Sequence, residues 1–561
     1  MSEPWKPTAQ AEAERWAQLK SDIIEAAPSL GIDSIGFASA DPFTTLKNRL
    51  IEHRAKGYES GFEEPDLDKR VQPALLFDRP QSIIAIAVAY PSKLIDPPKS
   101  EPGAYRGILS RSAWGQDYHQ ALRERLARLE AFIQERVPEA RMESMVDTGA
   151  LSDRAVAERA GIGWSAKNCS IISPKLGSWM YLGEMITNLP FEPDTPVEEG
   201  CGDCNRCIDA CPTGALVGPG QLNAQRCISF LTQTKGTLSE EFMTKIGNRL
   251  YGCDTCQIVC PPNRGKNWTQ HPELQPDPET VKPLLIPLLS LSNKEFKARF
   301  GSNASSWRGK KPIQRNVIIG LGNFKDATAI PHLHTVMRED PRYELRYTAA
   351  WALSKIGGEA SMDVLNDVIQ RESHIEVLEA IQRARVKLGA DTEPLFYREM
   401  DSPIGTLTLI RSMKGLCHIE FGTYADREEK IQQWTSRWYE HPELIPNSAA
   451  LDDIVGQLKE YFGGQRTTFD IPLDMQGTPF QRKVWQALTE IPYGETWSYK
   501  QVAEQIGQPK AVRAVGGANN KNPVSIIVPC HRVIGASGAM VGYGGGLDKK
   551  QILLALEQRQ D

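Results

Sequence analysis

No stretch of this 561-residue chain approaches the 18 uninterrupted apolar residues of a membrane span. Met1 to Arg15 is polar and acidic, includes Pro4 and Pro7, and lacks the basic start and apolar core of a secretory leader. Both absences predict a cytoplasmic location, reduced thiols and no membrane partner. An excess of positive charge is also missing. A net charge of −5 excludes blanket nucleic-acid binding and leaves such contacts to local basic patches. Cysteine is scarce along most of the length, with only Cys169, Cys417 and Cys530 outside one sixty-residue stretch. The hydrophobic fraction of 40% and charged fraction of 24% are ordinary for a globular protein, and the length predicts three or four domains.

The other eight cysteines are the strongest local signal. Cys201, Cys204, Cys207 and Cys211 read C-x2-C-x2-C-x3-C followed by Pro212, the spacing of a ferredoxin-type iron–sulfur run. Cys253, Cys256 and Cys260 followed by Pro261 form a second, nearly complete copy, and Cys227 brings the thiols to the eight that two 4Fe-4S clusters need. In such folds the fourth cysteine of a run serves the other cluster. That rule gives Cys201, Cys204, Cys207 and Cys260 to one cluster, and Cys211, Cys227, Cys253 and Cys256 to the second. Zinc is the competing reading, but its sites usually pair two C-x2-C elements a dozen or more residues apart. A disulfide framework belongs to small secreted domains.

The chain divides by pattern into a mixed α/β and α+β multidomain protein. Residues 1–190 mix helical and strand patterns. Ser82 to Tyr90 reads as a buried strand, and Trp114 to Val137 as an amphipathic helix with Leu122, Leu126, Leu129 and Ile133 on one face. Residues 191–265 carry the cysteines. Within residues 266–388, Leu321, Phe324 and Leu333 recur as Leu353, Ile356 and Leu365, each 32 residues on. This predicts short HEAT-like helical repeats with Gly322 and Gly357-Gly358 near the turns. An incidental helical bundle is the alternative. A linker at 389–394 precedes residues 395–475, and residues 476–561 close the chain. The last two regions together are long enough to fold alone.

Two clusters usually pass electrons rather than perform chemistry, so residues 1–190 are expected to hold a cofactor or substrate pocket. There the chain carries Val146-Asp147-Thr148-Gly149, then Ala157-Glu158-Arg159-Ala160-Gly161 with Gly163-Trp164, and Lys167-Asn168. With Ser112 to His119, Cys201 to Leu216, Arg226 to Ser229 and Gly252 to Pro261, this resembles epoxyqueuosine reductase over residues 10–388. The resemblance implies a cobalamin-binding N-terminal α/β domain and a ferredoxin-like domain with two 4Fe-4S clusters. It further implies an external electron donor, and reduction of epoxyqueuosine at the tRNA wobble position to queuosine. It makes Asp147 the catalytic proton donor, a role calling for a carboxyl pKa raised by burial. The bare sequence allows Asp147 to be only a turn or helix cap. By resemblance Arg70, Ser110, Asp147, Lys167, Ile171, Leu182 and Ser229 line the cobalamin, and Lys235 touches tRNA. Ala150 and Ala166 depart from the family pattern at a usual proline and glycine.

A second reactive centre is expected at Cys530, where Ile526-Ile527-Val528 reads as a strand feeding a Pro529 turn beside His531. A thiol with its ordinary pKa of about 8.5 needs a base, which His531 supplies through water, with Glu557 orienting it. Pro529-Cys530-His531-Arg532, with Thr478-Pro479-Phe480-Gln481, Ile491 to Gly494, Ser498-Tyr499, Arg513 to Gly516 and Asn522-Pro523, resembles O6-alkylguanine-DNA alkyltransferase over residues 395–558. The resemblance implies an α/β subdomain, a helix-turn-helix domain in the minor groove of alkylated double-stranded DNA, and base flipping. It also implies irreversible alkyl transfer to Cys530 without a cofactor. It assigns Tyr499 to the 3′ phosphate, Arg513 to the vacated base position, Asn522 to the turn before the nucleophile and Tyr543 to the base pocket. Six basic residues against three acids between Thr478 and Val524 supply a local phosphate-binding face. Asn519 and Asn520 replace a basic residue of some members, predicting a weaker DNA contact there. Cys169 and Cys417 read as structural.

The expectation is thus a monomeric fusion of two nucleic-acid enzymes. The rivals are a generic iron–sulfur or corrinoid reductase of a small molecule at the front and a non-enzymatic DNA-damage sensor at the back.

Overall fold

The computed structural model describes residues 9–558. Pro4 and Pro7, in the start predicted to lack a leader, lie outside the described residues. Among the described residues no helix is long and apolar enough to cross a membrane. The chain forms two compact units that meet in sequence at His332 and Leu333.

The first unit begins with α1 (Ala9–Ala26) and an antiparallel sheet of β1 (Ser34–Ser39), β2 (Ser82–Ala89), β3 (Met142–Met145) and β4 (Met180–Thr187), in the order β1-β2-β4-β3. Because strand side chains alternate, β2 serves two cores. Ile84, Ile86 and Val88 pack with Leu122, Leu126, Leu129 and Ile133 of α2 (Tyr118–Arg136) and with Leu19 and Ile23 of α1. Ile83, Ala85 and Ala87 pack on the other face with Val156 and Ala157 of α3 (Asp153–Arg159). Each buried isoleucine contributes roughly 1.5–3 kcal/mol. A Cβ at Gly36 would stand 2.0 Å from the Ala160 carbonyl, so only glycine lets β1 meet the end of α3. The helix expected from Trp114 begins four residues later at Tyr118. The Asp117 carboxylate accepts from the His119 N–H at 3.0 Å and caps it there.

A two-residue strand, Ile108–Leu109, pairs in parallel with Arg249–Tyr251 and carries Ser110 to the second cysteine run. Helix α4 (Lys310–Phe324) clamps the segment after Cys227. The buried Arg315 guanidinium donates to the carbonyls of Leu231, Thr234 and Gly236, and Asn316 to those of Thr232 and Leu250. Gly322 lies in the last turn of α4, near the turn as expected. Lys325 makes that turn in the left-handed region, at φ 56°.

In the second unit α5 (Tyr343–Ile356), α6 (Glu359–Val368) and α7 (Ile375–Lys387) precede a second sheet. Its strands are β5 (Glu393–Met400), β6 (Leu407–Ser412), β7 (Gly415–Phe421) and β8 (Pro442–Pro446), in the order β7-β6-β5-β8 with only β5 and β8 parallel. Helix α8 (Tyr424–Trp438) packs Ile431 against Leu395, Ile410 and Cys417. Residues 389–394 do not separate free bodies. Asn447, 1% exposed, donates to the carbonyls of Ile369 and Glu372, and Arg385 pairs with Glu443 at 2.7 Å. Helices α9 (Asp452–Phe462), α10 (Pro479–Leu488), α11 (Tyr499–Gln505), α12 (Val512–Asn520) and α13 (Leu547–Gln558) complete the unit. Thr478 with Gln481 and Ser498 with Gln501 form capping boxes that fix the starts of α10 and α11.

Candidate active sites

The eight clustered thiols gather in two groups. Burial pushes the Cys260 thiol up to about 12, reinforced by Cys201, Cys207 and Cys204. Burial raises Cys256 as well, reinforced by Cys253, Cys227, Cys207 and Cys211. Cys227 rises to about 11, by burial first and then by Cys253 and Cys211. Cys260 thus neighbours Cys201, Cys204 and Cys207, and Cys256 and Cys227 neighbour Cys253 and Cys211, with Cys207 also acting on Cys256. Crowded, half-buried thiols repel one another as thiolates, and a bound cationic core relieves that repulsion. The donor set therefore fits two iron–sulfur clusters. Among the described residues no group of three or more His, Cys, Asp or Glu side chains is placed to hold a single ion. Cys211 is shifted the other way from Cys227, Cys256 and Cys260. Burial would raise it, but N–H groups of Leu216, Thr213 and Ala215 outweigh burial and hold it below the ordinary thiol value.

Asp147 follows β3 in a tight turn at φ 51°. Its Oδ2 accepts from the Tyr118 hydroxyl at 2.6 Å and lies 3.4 Å from His119 Nε2, an ion-pair distance rather than a formed hydrogen bond. His119 Nδ1 meets Asp117 at 2.7 Å. The two aspartates, Asp117 first, raise His119 to about 9, so at neutral pH it is an imidazolium. Burial keeps the Tyr118 hydroxyl protonated, with Asp147 adding to the effect. The raised pKa expected for Asp147 is not found. Interaction with His119 is the largest cause and holds it below the ordinary carboxylate value, against the opposing effect of burial. The proton of this cluster rests on His119 and Tyr118. Sequence reasoning gave neither a role, although both lie in the segment Ser112 to His119 that carried the resemblance.

The other front-half positions fall into linked groups. Buried Ile171 and half-exposed Leu182 belong to one apolar cluster. Arg70 feels the charge of Arg154, which also acts on Asp147 and donates to the Cys169 carbonyl at 2.6 Å. Ser110 donates its N–H to the Tyr251 carbonyl. Thr232 Oγ1 accepts from Gly252 N and donates to the Ser229 carbonyl, linking Ser110 to Ser229 beside two cysteines. Lys167 Nζ donates to the Gly202 carbonyl at 2.6 Å, and Lys235 is exposed. Cys169 stands at φ 63°, and Cys417 is buried on β7 with its thiol on the Ile410 carbonyl at 3.2 Å.

In the second unit Cys530 is 2% exposed. Its Sγ lies 3.8 Å from Ser525 Oγ, and burial raises its pKa. His531 Nε2 meets Glu557 Oε1 at 2.8 Å, and His531 Nδ1 is buried without a partner among the described residues. With the Nε2 proton given to Glu557, Nδ1 carries a free lone pair, the form a base requires. Glu557 also accepts from Arg532 at 2.8 and 2.9 Å, from Tyr461 at 2.7 Å and from Gly494 N at 3.3 Å. Burial opposes its ionisation, but His531 and then Arg532 outweigh burial and bring it down to about 2.

The strand expected at Ile526 to Val528 is a turn. Ile526 adopts φ 79°, and Asn522 holds it by donating to the Val528 carbonyl and accepting from Val524 N. Asn519 is 2% exposed and donates to the Cys530 carbonyl at 3.3 Å, so it supports the nucleophile rather than a DNA contact. Arg513, Ala514 and Gly517 lie on the open face of α12, Tyr543 is buried, and the Tyr499 hydroxyl donates to the Val541 carbonyl at 3.0 Å.

This fold and these thiols define an iron–sulfur protein joined to DNA alkyltransferase domains. Family models match an epoxyqueuosine reductase domain at residues 70–148, a 4Fe-4S double cluster binding domain at 200–263 and HEAT repeats at 308–384. They also match the ribonuclease-like domain of 6-O-methylguanine DNA methyltransferase at residues 395–475 and its DNA binding domain at 479–559. An epoxyqueuosine reductase of Bacillus anthracis is 60% identical over 376 residues, 67% of this chain and 99% of the relative. A crystal structure of epoxyqueuosine reductase with an epoxyqueuosine-modified tRNA-Tyr stem loop is 59% identical at a TM-score of 0.65, covering 67% of this chain and all of that one. A Bacillus subtilis structure, described with its catalytic aspartate loop swung out of the active site, is 58% identical at a TM-score of 0.65. It covers 66% of this chain and 99% of that one. The chain belongs to the epoxyqueuosine reductase family and continues into O6-methylguanine methyltransferase domains.

Proposed function

We propose that the chain is bifunctional, reducing epoxyqueuosine to queuosine in tRNA and moving the alkyl group of O6-alkylguanine in DNA onto Cys530. The observation that carries the first reading is the crossed grouping of eight thiols in a chain that also places Asp147 against Tyr118 and His119. Removing the epoxide oxygen as water consumes two electrons and two protons. The two clusters, when bound, supply electron transfer, and cobalamin, when bound, supplies a strongly reducing cobalt. Half-buried Leu182, packed with Ile171 in one apolar cluster, would offer an apolar surface to a corrin, and Arg70, Ser110, Lys167 and Ser229 are the polar residues that would hold it. Asp147 rests ionised and acts as the relay: His119, whose raised pKa keeps it protonated at neutral pH, passes a proton through the Asp147 carboxyl to the leaving oxygen and takes the second proton from solvent. The tRNA stem loop bound by the relative supports tRNA as substrate, and exposed Lys235 is the residue we assign to that contact. The relative's mobile aspartate loop supports the role of Asp147. An external donor delivers the electrons.

In the second reaction Cys530 gives its proton through water to His531 Nδ1, sulfur forms a bond to the alkyl carbon, and the carbon–oxygen bond to guanine breaks. The base returns protonated and no cofactor is consumed. Helices α11 and α12 act as the helix-turn-helix. The small exposed Ala514 and Gly517 admit the backbone, and Arg513 fills the vacated position. Tyr499 must release Val541 to reach the 3′ phosphate. The presence of Cys530 disfavours a sensor that binds damage without repairing it. Incubation with labelled O6-methylguanine DNA tests this half. One methyl per chain is expected, none in Cys530→Ala, and undiminished transfer in that variant would overturn it.

A further inference from the structure

Beside the Asp147 turn lie two carboxyl groups with no assigned role, one buried on the sheet and one half-buried at the start of α3. Glu184 on β4 stands opposite Met145 in the register, is 1% exposed, and neither carboxyl oxygen has a hydrogen-bond donor among the described residues. Asp153 opens α3. Its Oδ2 accepts from the Asp147 backbone N–H at 2.9 Å, and its Oδ1 is buried without a donor. The two side chains face each other, and burial raises both. The charges acting on them are Asp147, which opposes ionisation of each, and Arg154, which favours the charged form of Asp153 only.

Two buried carboxylates at contact cannot both ionise without a cation, and one shared proton turns the repulsion into a short, strong O–H···O⁻ bond. The group this pair supports is under strain. At φ 51° Asp147 sits in the left-handed region that side chains rarely adopt, and the Asp153 carboxylate is the acceptor that holds its N–H in that conformation.

We propose that Asp153 and Glu184 share one proton and act as positioning residues, latching the Asp147 turn where its carboxyl meets Tyr118 and His119. Glu184 carries the proton and donates it to one oxygen of Asp153, leaving the other free to accept the Asp147 N–H. Opening the latch lets the strained residue relax and withdraw its carboxyl. The inference rests on the reading of Asp147 as proton donor, but its test does not.

The test uses the full chain without substrate. The infrared spectrum at neutral pH should show a protonated-carboxyl C=O band, shifted in deuterium oxide, that disappears in Glu184→Gln. Hydrogen exchange of a peptide spanning residues 145–153 should accelerate about tenfold in Asp153→Ala, the loss of one hydrogen bond to a charged acceptor. Glu184→Gln, whose amide still donates to Asp153, should stay protected. In turnover, Asp153→Ala should lower kcat and leave KM unchanged. If the alanine variant does not fold, Asp153→Asn replaces it: its amide can donate to Glu184 and accept from Asp147, so protection should persist while the infrared band vanishes. Absence of the band in the parent protein, or unchanged exchange in Asp153→Ala, overturns the latch. An intact latch beside an active Asp147→Asn variant instead overturns the donor reading alone.

Discussion

Replacing Glu557 by glutamine removes one charge from the most heavily hydrogen-bonded buried carboxylate of the second unit. It accepts from His531, twice from Arg532, from Tyr461 and from Gly494 N, and it is 2% exposed. Glutamine offers one acceptor oxygen, and its amide either meets Arg532 and Gly494 N, which can only donate, or donates to His531 Nε2 and selects the other tautomer. Arg532, 6% exposed, is left as a buried charge without a counter-ion. Breaking such a pair costs about 3–5 kcal/mol. The carboxyl pKa gives an independent figure: a fall from 4.5 to about 2 corresponds to about 3 kcal/mol of preference for the ionised folded form. Because this folded-state pKa lies below the unfolded value, the contribution is complete above pH 4.5 and is lost as pH falls toward about 2. In thermal melts of the full chain the transition of the second unit should drop by on the order of 10 °C at pH 7, and by less as pH approaches 2. Methyl transfer should slow by about 10²–10⁴, because His531 loses the acceptor that fixes its tautomer. A Glu557→Gln protein that melts within about 2 °C of the parent and transfers methyl at the parent rate would refute this reasoning.

Three further outcomes follow from the same geometry. Asp147→Ala should leave the cluster absorbance unchanged while stopping tRNA turnover, and surviving activity would place the proton donor elsewhere. The kcat of the tRNA reaction should hold at neutral pH and fall as pH rises through about 9, where His119 loses its proton; His119→Gln should abolish that limb of the profile. Cys227→Ser should halve the iron content by removing a ligand from one cluster only, whereas loss of all iron would show that the two groups of thiols do not fill independently.

What could be read from the sequence was the chemistry encoded by short spacing. The cysteine runs fix their own loops, so the division into Cys201, Cys204, Cys207 with Cys260 and Cys211, Cys227, Cys253 with Cys256 was a reading of their spacing alone. The buried strand Ser82–Ala89 and the helical face of Leu122, Leu126, Leu129 and Ile133 were equally plain, because apolar periodicity reports burial directly. Features set by tertiary partners were not legible. Asp147 lies 29 residues from Tyr118 along the chain, and only the fold joins them. Its lowered pKa comes from that junction and reverses an expectation based on burial alone. Ile526 looked like a strand residue, but the Asn522 side chain imposes a left-handed turn on it. Asn519 looked like a surface position on a DNA-reading helix, but packing turns it inward to the Cys530 carbonyl. Residues 389–394 have a linker composition, yet Asn447 and Glu443 bind the helices before them to the sheet after them.

The central claim is that eight thiols hold two iron–sulfur cubanes. Iron, acid-labile sulfide and zinc should be quantified in the full chain purified without oxygen. About eight iron and eight sulfide per chain is the predicted result. Stoichiometric zinc with no labile sulfide would contradict it.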